Sequence, residues 1–153
     1  MSKSFSDLGI NQLLQQSLSE LQLAVPTDIQ QKAIPIILTQ SEDVVAIAKT
    51  GTGKTAAFGL PLLQLMDAKD SNVQALILAP TRELGHQIHA SLVSYASLSS
   101  EISIAALCGG IPIKPQIERL KSPTHIVVAT PGRLLDLISK GALSLKALKY
   151  LIL

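Results

Sequence analysis

A glycine-rich segment that ends in lysine and threonine carries the clearest chemistry in this sequence. The segment runs from Ala48 to Thr55 and reads Ala-Lys-Thr-Gly-Thr-Gly-Lys-Thr. Gly51 and Gly53 permit backbone turns that a side chain would obstruct, so successive N–H groups can converge on phosphate oxygens. Lys54 adds a positive charge, and the hydroxyl of Thr55 suits Mg²⁺. The spacing therefore predicts a loop that binds the phosphates of a nucleoside triphosphate.

The sequence on either side of this segment predicts the strand and the helix that such a loop needs. The apolar run Asp43–Ala48 reads as a strand, and Lys54–Met66 reads as a helix whose positive dipole end would face the phosphates. Ala48 stands where the usual pattern has glycine, so a turn that only joins a strand to a helix remains an alternative. The predicted phosphate-binding residues are Ala48, Lys49, Thr50, Gly51, Thr52, Gly53, Lys54 and Thr55, with Lys54 and Thr55 as catalytic residues and Thr55 as the metal ligand.

Composition and length indicate a single soluble domain. Of the 153 residues, 47% are hydrophobic and only 3% are aromatic, which favours an aliphatic core. The net charge of +2 is too small to indicate nucleic-acid binding through bulk electrostatics. Met1–Asp7 has no apolar signal core, and no apolar run approaches the roughly 18 residues of a membrane span. We therefore expect a cytoplasmic location and no contact with membranes. The single cysteine, Cys108, cannot form an internal disulfide, and at the end of a predicted strand it is expected to be inert.

Strand and helix patterns alternate along the chain. This alternation predicts an α/β fold with a parallel sheet of about five strands and helices on both faces. The predicted strands are Asp43–Ala48, Val73–Ala79, Ser103–Leu107, His125–Ala129 and Lys149–Leu153. The predicted helices are Asn11–Leu21, Thr27–Leu38, Lys54–Met66, Arg82–Ser97, Ile113–Leu120 and Gly132–Ser139.

Three loops that follow predicted strands contain hydroxyls, arginines and glycines. In an open parallel sheet these loops project from one edge, the carboxyl ends of the strands, where ligands bind. Such a set can hold a sugar-phosphate backbone without reading bases. Taken singly, the prolines are also ordinary strand-to-helix residues, and Thr81 and Thr130 are also candidate helix N-caps. The candidate nucleic-acid contacts are Pro80, Thr81, Arg82, Gly109, Gly110, Thr130, Pro131, Gly132 and Arg133.

Five segments, in order, resemble motifs of the DEAD-box ATP-dependent RNA helicases. They are Pro26–Gln30 for the Q motif, Ala48–Thr55 for motif I, Pro80–Leu84 for motif Ia, Gly109-Gly110 for the GG motif and Thr130–Arg133 for motif Ib. The resemblance covers essentially the whole chain. It implies a first RecA-like lobe with ATP and Mg²⁺ as cofactors, RNA held by its backbone, and a second RecA-like lobe as partner. Residues 1–40 would be a helical Q-motif region, and residues 41–153 a RecA-like ATP-binding lobe that is incomplete at its C-terminus.

The resemblance also implies roles in recognition of the base. Gln30 would contact the adenine edge, Phe5 would stack on the ring, and Thr27 would support the Q-motif loop. An amide can pair with the donor and acceptor edge of adenine, and an aromatic ring offers it a face. From the residues alone, Gln30 as a solvated helix residue and Phe5 as an apolar plug on the first helix stay open. The chain also departs from the family pattern at Gln22-Leu23 and at Lys49.

The family places its Asp-Glu-Ala-Asp tetrad just after the position of Leu153. Without that tetrad and a second lobe, the chain is expected to bind nucleotide without hydrolysing it, whereas the parent protein would couple ATP hydrolysis to local RNA unwinding. Three alternatives stay open. The first is another phosphate-loop enzyme, but a GTPase would need an Asn-Lys-x-Asp guanine reader and the sequence has none. The second is a DNA helicase or other superfamily 2 translocase. The third is a nucleotide-switched binding module.

Overall fold

The computed structural model describes residues 3–39 and 42–153, which form six helices and four strands. The helices are α1 (Gln12–Glu20), α2 (Asp28–Thr39), α3 (Lys54–Leu65), α4 (Arg82–Tyr95), α5 (Lys114–Arg119) and α6 (Pro131–Ser139). The strands are β1 (Ala75–Leu78), β2 (Ile104–Leu107), β3 (Ile126–Ala129) and β4 (Tyr150–Ile152). The chain divides into two compact units, one of residues up to Leu65 with Ser91–Ser100 and one of Met66–Ala90 with Glu101–Leu153.

A parallel sheet forms the centre of the second unit. Its strand order is β2-β3-β1-β4, and every neighbouring pair is parallel. All four residues of β3 have no exposed surface, as expected for an inner parallel strand that is covered on both faces. Leu76, Leu107 and Val127 belong to an apolar cluster with Leu134 and Leu137 of α6. The predicted α/β fold with a parallel sheet flanked by helices is confirmed.

The prediction of a strand at Asp43–Ala48 is wrong. The structure gives this segment no strand, so the sheet of the described residues has four strands rather than about five. Val45 and Ile47 are 91% and 92% exposed. An apolar, β-branched run shows strand propensity, but a strand forms only where a neighbouring backbone completes its hydrogen bonds. The other predicted strands and helices are present, with ends that differ by at most two residues.

Three helices and a hydrophobic core build the first unit. Asn11 caps α1 by accepting a hydrogen bond from the N–H of Leu14 (3.0 Å). The side chain of Gln64 accepts from the N–H of Asn11 (2.8 Å) and donates to the carbonyl of Gly9 (2.9 Å). These bonds tie the N-terminal segment to α3, which also packs against α2. The Q motif and the phosphate-loop segment thus lie within one unit.

The predicted domain boundary between residues 40 and 41 falls on Gln40 and Ser41, which lie outside the described residues, and it stays a prediction. Across residues 3–39 and 42–153, none of the helices is long and apolar enough to cross a membrane.

Candidate nucleotide and nucleic-acid sites

The glycine-rich segment forms a tight loop directly before α3. Gly51 and Gly53 have φ angles of +77° and +86°, in the left-handed region that favours glycine. The carbonyl of Gly53 accepts a hydrogen bond from the N–H of Ala57 (3.1 Å), so the loop leads straight into the helix. The two turns that the sequence predicts at these glycines are present, and the N-terminus of α3 follows them.

Lys54 is held by the loop that precedes it. Its ammonium group donates to the carbonyl oxygens of Ala48 and Lys49, the second at 3.2 Å. The hydroxyl of Thr52 also donates to the carbonyl of Lys49 (2.8 Å). Carbonyl oxygens are weaker partners for an ammonium ion than phosphate oxygens, because they carry only partial charge. The ammonium group of Lys54 is therefore held at the loop by hydrogen bonds that a phosphate group can replace.

The Q motif is hydrogen-bonded to this loop. Thr27 and Gln30 stand at the cap and third positions of α2, the spacing of a capping box, and Gln30 Oε1 accepts from the N–H of Thr27 (2.9 Å). The hydroxyl of Thr27 donates to the carbonyl of Thr52 (2.9 Å). Gln30 Nε2 donates to the carbonyl of Gly53 (3.1 Å). Two donors of the Q motif thus hold two consecutive carbonyls of the phosphate loop.

The two residues expected to recognise the base are buried. Gln30 and Phe5 are each 6% exposed, so Gln30 is not a solvated helix residue. Phe5 is buried within the first unit, as the apolar-plug interpretation predicts, and its stacking on a base stays a prediction. A cavity of about 280 Å³ lies between the Q-motif turn and the phosphate loop. It is lined by Thr27, Asp28, Ile29, Ala48 and Thr52.

Thr55 is the second residue of α3 and is partly exposed. It offers one hydroxyl oxygen, whereas Mg²⁺ takes six oxygen ligands, usually a few carboxylates together with phosphates and water. No group of three or more His, Cys, Asp or Glu side chains that could hold a metal occurs in the part of the chain that the structure describes. The hydroxyl therefore fits as one ligand of an ion that arrives with the phosphates of a nucleotide.

The three predicted loops of the second unit lie together at one edge of the sheet. They follow β1, β2 and β3, and β3 is the neighbour of both other strands. The N–H of Gly109 donates to the hydroxyl of Thr130 (3.1 Å). Gly110 has a φ of +81°, and a Cβ there would lie 2.5 Å from Nη1 of Arg82. Motif Ia, the GG motif and motif Ib thus form one surface, which we call the loop edge.

The threonines of the loop edge have different roles. Thr81 caps α4 by accepting from the N–H of Leu84 (3.2 Å), as the N-cap interpretation predicts. Thr130 makes no side-chain cap hydrogen bond, and its hydroxyl binds Gly109 instead. The exposed members of the set are Pro80, Thr81, Arg82, Gly110, Pro131 and Gly132.

The two arginines of the loop edge also differ. The side chain of Arg82 is 47% exposed, and its ion pair with Glu83 is long, at 3.5 Å. Arg133 is partly buried: Nη1 donates to Oε1 of Gln116 (2.7 Å) and Nη2 donates to the carbonyl of Ile111 (2.7 Å). Arg82 is therefore available to an external anion, whereas Arg133 is occupied by the protein.

Sequence analysis missed Gln116. This side chain is 6% exposed and its Nε2 donates to the carbonyl of Cys108 (2.9 Å). The available signal was its place on the apolar face of α5, beside Ile113 and Ile117. Cys108 itself has no exposed surface, and burial raises the pKa of its thiol, consistent with an inert residue.

A profile of the DEAD/DEAH box helicase family matches residues 27–153. The chain belongs to the DEAD/DEAH box helicase family. Among curated relatives of the same family, it is 46% identical over 152 residues to the ATP-dependent rRNA helicase RRP3 of Gibberella zeae, a match that spans 99% of this chain and 31% of the relative. It is 39% identical over 150 residues to the DEAD-box ATP-dependent RNA helicase CshA of Geobacillus kaustophilus, spanning 98% and 32%.

Solved structures of DEAD-box proteins share the fold. A crystal structure of a DEAD box protein from the hyperthermophile Methanococcus jannaschii superposes with a TM-score of 0.90 at 39% identity, covering 99% of this chain and 41% of that one. S. cerevisiae Dbp5 bound to RNA and ADP BeF3 superposes with a TM-score of 0.88 at 29% identity, covering 98% and 37%. The family and the RecA-like lobe predicted from the motifs are confirmed. The chain spans about a third of the length of these DEAD-box relatives.

Proposed function

We propose that this chain is the ATP-binding first lobe of an ATP-dependent RNA helicase, which couples ATP binding and hydrolysis to local unwinding of RNA duplexes. The observation that carries the proposal is the pair of hydrogen bonds from Thr27 and Gln30 to the phosphate loop. They join a candidate base-reading motif to a candidate phosphate-binding loop. The names of the relatives, which call them ATP-dependent RNA helicases, support the same conclusion.

Phosphate binding follows from the geometry around Lys54. A triphosphate replaces the carbonyls of Ala48 and Lys49 as partner of the ammonium group, and the exchange is favourable because the phosphate oxygens carry full charge. The loop amides and the N-terminus of α3 add partial positive charge. Thr55 supplies one oxygen to Mg²⁺, which neutralises charge on the phosphates when bound.

Base selection follows from the hydrogen-bonding capacity of Gln30. Its amide has two N–H donors and two acceptor lone pairs, and the structure uses one of each, at Gly53 and at Thr27. One donor and one acceptor remain, the number that the edge of adenine requires. Gln30 can therefore read adenine while it still holds the loop.

The nucleotide site is tested by titrating the purified chain with fluorescent analogues of ATP and GTP. We expect ATP to bind more tightly than GTP, and Lys54→Ala to weaken ATP binding by about 10- to 100-fold, the value of a charge-assisted hydrogen bond. Lys49→Ala is the matched control, because the loop uses the main-chain carbonyl of Lys49, which alanine keeps, whereas its side chain is exposed. Equal losses for the two variants, or no loss for Lys54→Ala, contradict the proposed site.

Arg82 and its neighbours on the loop edge are proposed to hold RNA through its sugar-phosphate backbone. Removing one phosphate contact lowers the slope of log affinity against log salt by about 0.7 for a single strand. Arg82→Ala should therefore weaken binding of single-stranded RNA equally for different sequences and flatten the salt dependence. Lys146→Ala is the control, because Lys146 precedes β4 and lies at the opposite end of the strands.

The outcomes separate the remaining alternatives. Losses that depend on RNA sequence would indicate base readout, and equal losses for Arg82→Ala and Lys146→Ala would remove the loop edge as the binding surface. Tighter binding of single-stranded DNA than of RNA would favour a DNA translocase.

Unwinding itself, a second RecA-like lobe as partner and a cytoplasmic location are proposals about the whole protein. RNA-stimulated ATP hydrolysis by that protein, and its loss in Lys54→Ala, test the coupled activity.

A further inference from the structure

We propose that Gln116 is a positioning residue for RNA binding, which holds the loop after β2 in the shape that presents Gly109 and Gly110. The inference rests on the proposed function of the loop edge and extends it to a residue on α5. Gln116 touches no ligand in this role. It acts by binding the carbonyl of Cys108 and the side chain of Arg133, which together restrain the loop after β2.

Gln116 makes two side-chain hydrogen bonds that connect the loop after β2 to motif Ib. Its carbonyl accepts from Nη1 of Arg133 (2.7 Å), and its amide donates to the carbonyl of Cys108 (2.9 Å). The side chain is 6% exposed, so water has little access to it, and losing either bond leaves a buried polar group without its partner. A buried amide with both ends occupied fixes the distance between the start of the loop and motif Ib.

Arg133 extends this restraint to the other side of the two glycines. Its Nη2 donates to the carbonyl of Ile111 (2.7 Å), on the far side of the two glycines. Its buried Nε has no hydrogen-bond partner among the residues that the structure describes. The orientation of the guanidinium therefore depends on Gln116 and Ile111. Gln116 thus restrains the loop at Cys108 directly and at Ile111 through Arg133.

The restraint from Gln116 and Arg133 holds Gly110 in its place on the loop edge. This residue has a φ of +81° and lies against the guanidinium of Arg82. The N–H of Gly109 is held by Thr130, so the pair of glycines is restrained from both sides. A loop that is ordered before binding does not lose its freedom when RNA arrives, and this preorganisation increases affinity without adding a contact.

The test measures single-stranded RNA binding and hydrogen exchange on the same variants of the chain. Gln116→Met keeps the length of the side chain and removes both hydrogen bonds. We expect the RNA dissociation constant to rise by roughly 3- to 10-fold, the cost of ordering a freed side chain and loop on binding. The salt slope should not change, because no phosphate contact is lost. Exchange of the amides in residues 108–112 should accelerate in the free protein.

Two further variants give the internal comparison. Gln116→Glu retains the acceptor for Arg133 but loses the donor to Cys108 and adds a negative charge near the phosphates, so it should bind RNA no more tightly than Gln116→Met. Arg133→Lys keeps the charge but cannot make both bonds in their fixed geometry, so it should resemble Gln116→Met. Nucleotide affinity and the thermal midpoint, measured alongside, show that the variants are folded. A purely structural role would lower the thermal midpoint of these variants without raising their RNA dissociation constants.

Arg82→Ala separates failure of the inference from failure of the proposed function. If Arg82→Ala weakens RNA binding and Gln116→Met does not, the positioning role is overturned while the loop edge stands. A reduced salt slope in Gln116→Met overturns it as well. If no variant affects RNA binding, the loop edge is not the RNA surface, and the inference fails with it. Weaker binding at constant salt slope, together with faster exchange in residues 108–112, supports it.

Discussion

Gly53→Ala is expected to destabilise the first unit far more than Gly51→Ala, although both glycines belong to one loop. Gly53 and Gly51 have similar φ angles of +86° and +77°. A Cβ on Gly53 would collide with Nε2 of Gln30 and lie 3.3 Å from the hydroxyl of Thr27, whereas a Cβ on Gly51 has nothing within 4 Å. The pair therefore separates backbone strain from the contact with the Q motif.

The magnitude follows from two contributions. Placing alanine in the left-handed region costs about 1–2 kcal/mol at either position. At Gly53 the amide of Gln30 must also move away, and it then loses its bonds to Gly53 and Thr27. Because Gln30 is 6% exposed, leaving its amide unpaired adds about 1–3 kcal/mol. We expect about 2–5 kcal/mol in total for Gly53→Ala and about 1–2 kcal/mol for Gly51→Ala.

Urea unfolding of the chain without nucleotide measures the free-energy cost of each glycine substitution. A double-mutant cycle with Gln30→Ala then shows how much of the difference between the two costs is due to Gln30. In a Gln30→Ala background no amide has to move, so the two glycine substitutions should cost the same. Two results refute the reasoning. One is an equal cost of the two substitutions in the parent chain, and the other is a gap of the same size after Gln30 has been removed.

Three further predictions concern the second unit. Gly110→Ala should cost about 1–2 kcal/mol in urea unfolding and weaken RNA binding, because its Cβ would displace the guanidinium of Arg82; Gly132→Ala, with nothing within 4 Å, should leave the free energy of unfolding unchanged. Burial lowers the pKa of His89 below 6.5, so the unfolded chain binds the proton more tightly and stability falls as pH drops below that value. His89→Gln should flatten this acid-side loss, and an unchanged pH profile would contradict the assignment. The raised pKa of buried Cys108 predicts slow alkylation by iodoacetamide, followed by mass spectrometry, until denaturant exposes the thiol; equal native and denatured rates would contradict it.

Local chemistry explains which elements could be predicted from the sequence. The phosphate loop was predictable because glycine and lysine at fixed spacing impose backbone turns and charge without help from distant residues. The strand predicted at Asp43–Ala48 is absent, because composition expresses only a propensity and a strand also needs a neighbour. β1 and β3 have the same kind of composition and do form, since each pairs with the other.

Sequence patterns did not predict the hydrogen bonds that connect distant residues within the sites. The motifs placed Arg133 and Thr130 at the correct edge of the sheet, but not their partners. Arg133 binds Gln116, and Thr130 binds Gly109, across separations of 17 and 21 residues. Such contacts depend on the register of β2 against β3, which fixes how the following loops meet. A glutamine on an apolar helix face gives only a weak sign of them.

Both candidate sites use a buried glutamine as the link between two loops, and the choice of an amide has a physical reason. Gln30 joins Thr27 to Gly53, and Gln116 joins Arg133 to Cys108. An amide donates to a carbonyl at one end and accepts at the other, so it holds two segments of the chain together without any net charge. A carboxylate in either place would repel a phosphate group, and a lysine would compete with Lys54 or Arg82 for it. A neutral side chain with both functions therefore fixes the shape of a polyanion site while leaving its electrostatics to the residues that face the ligand.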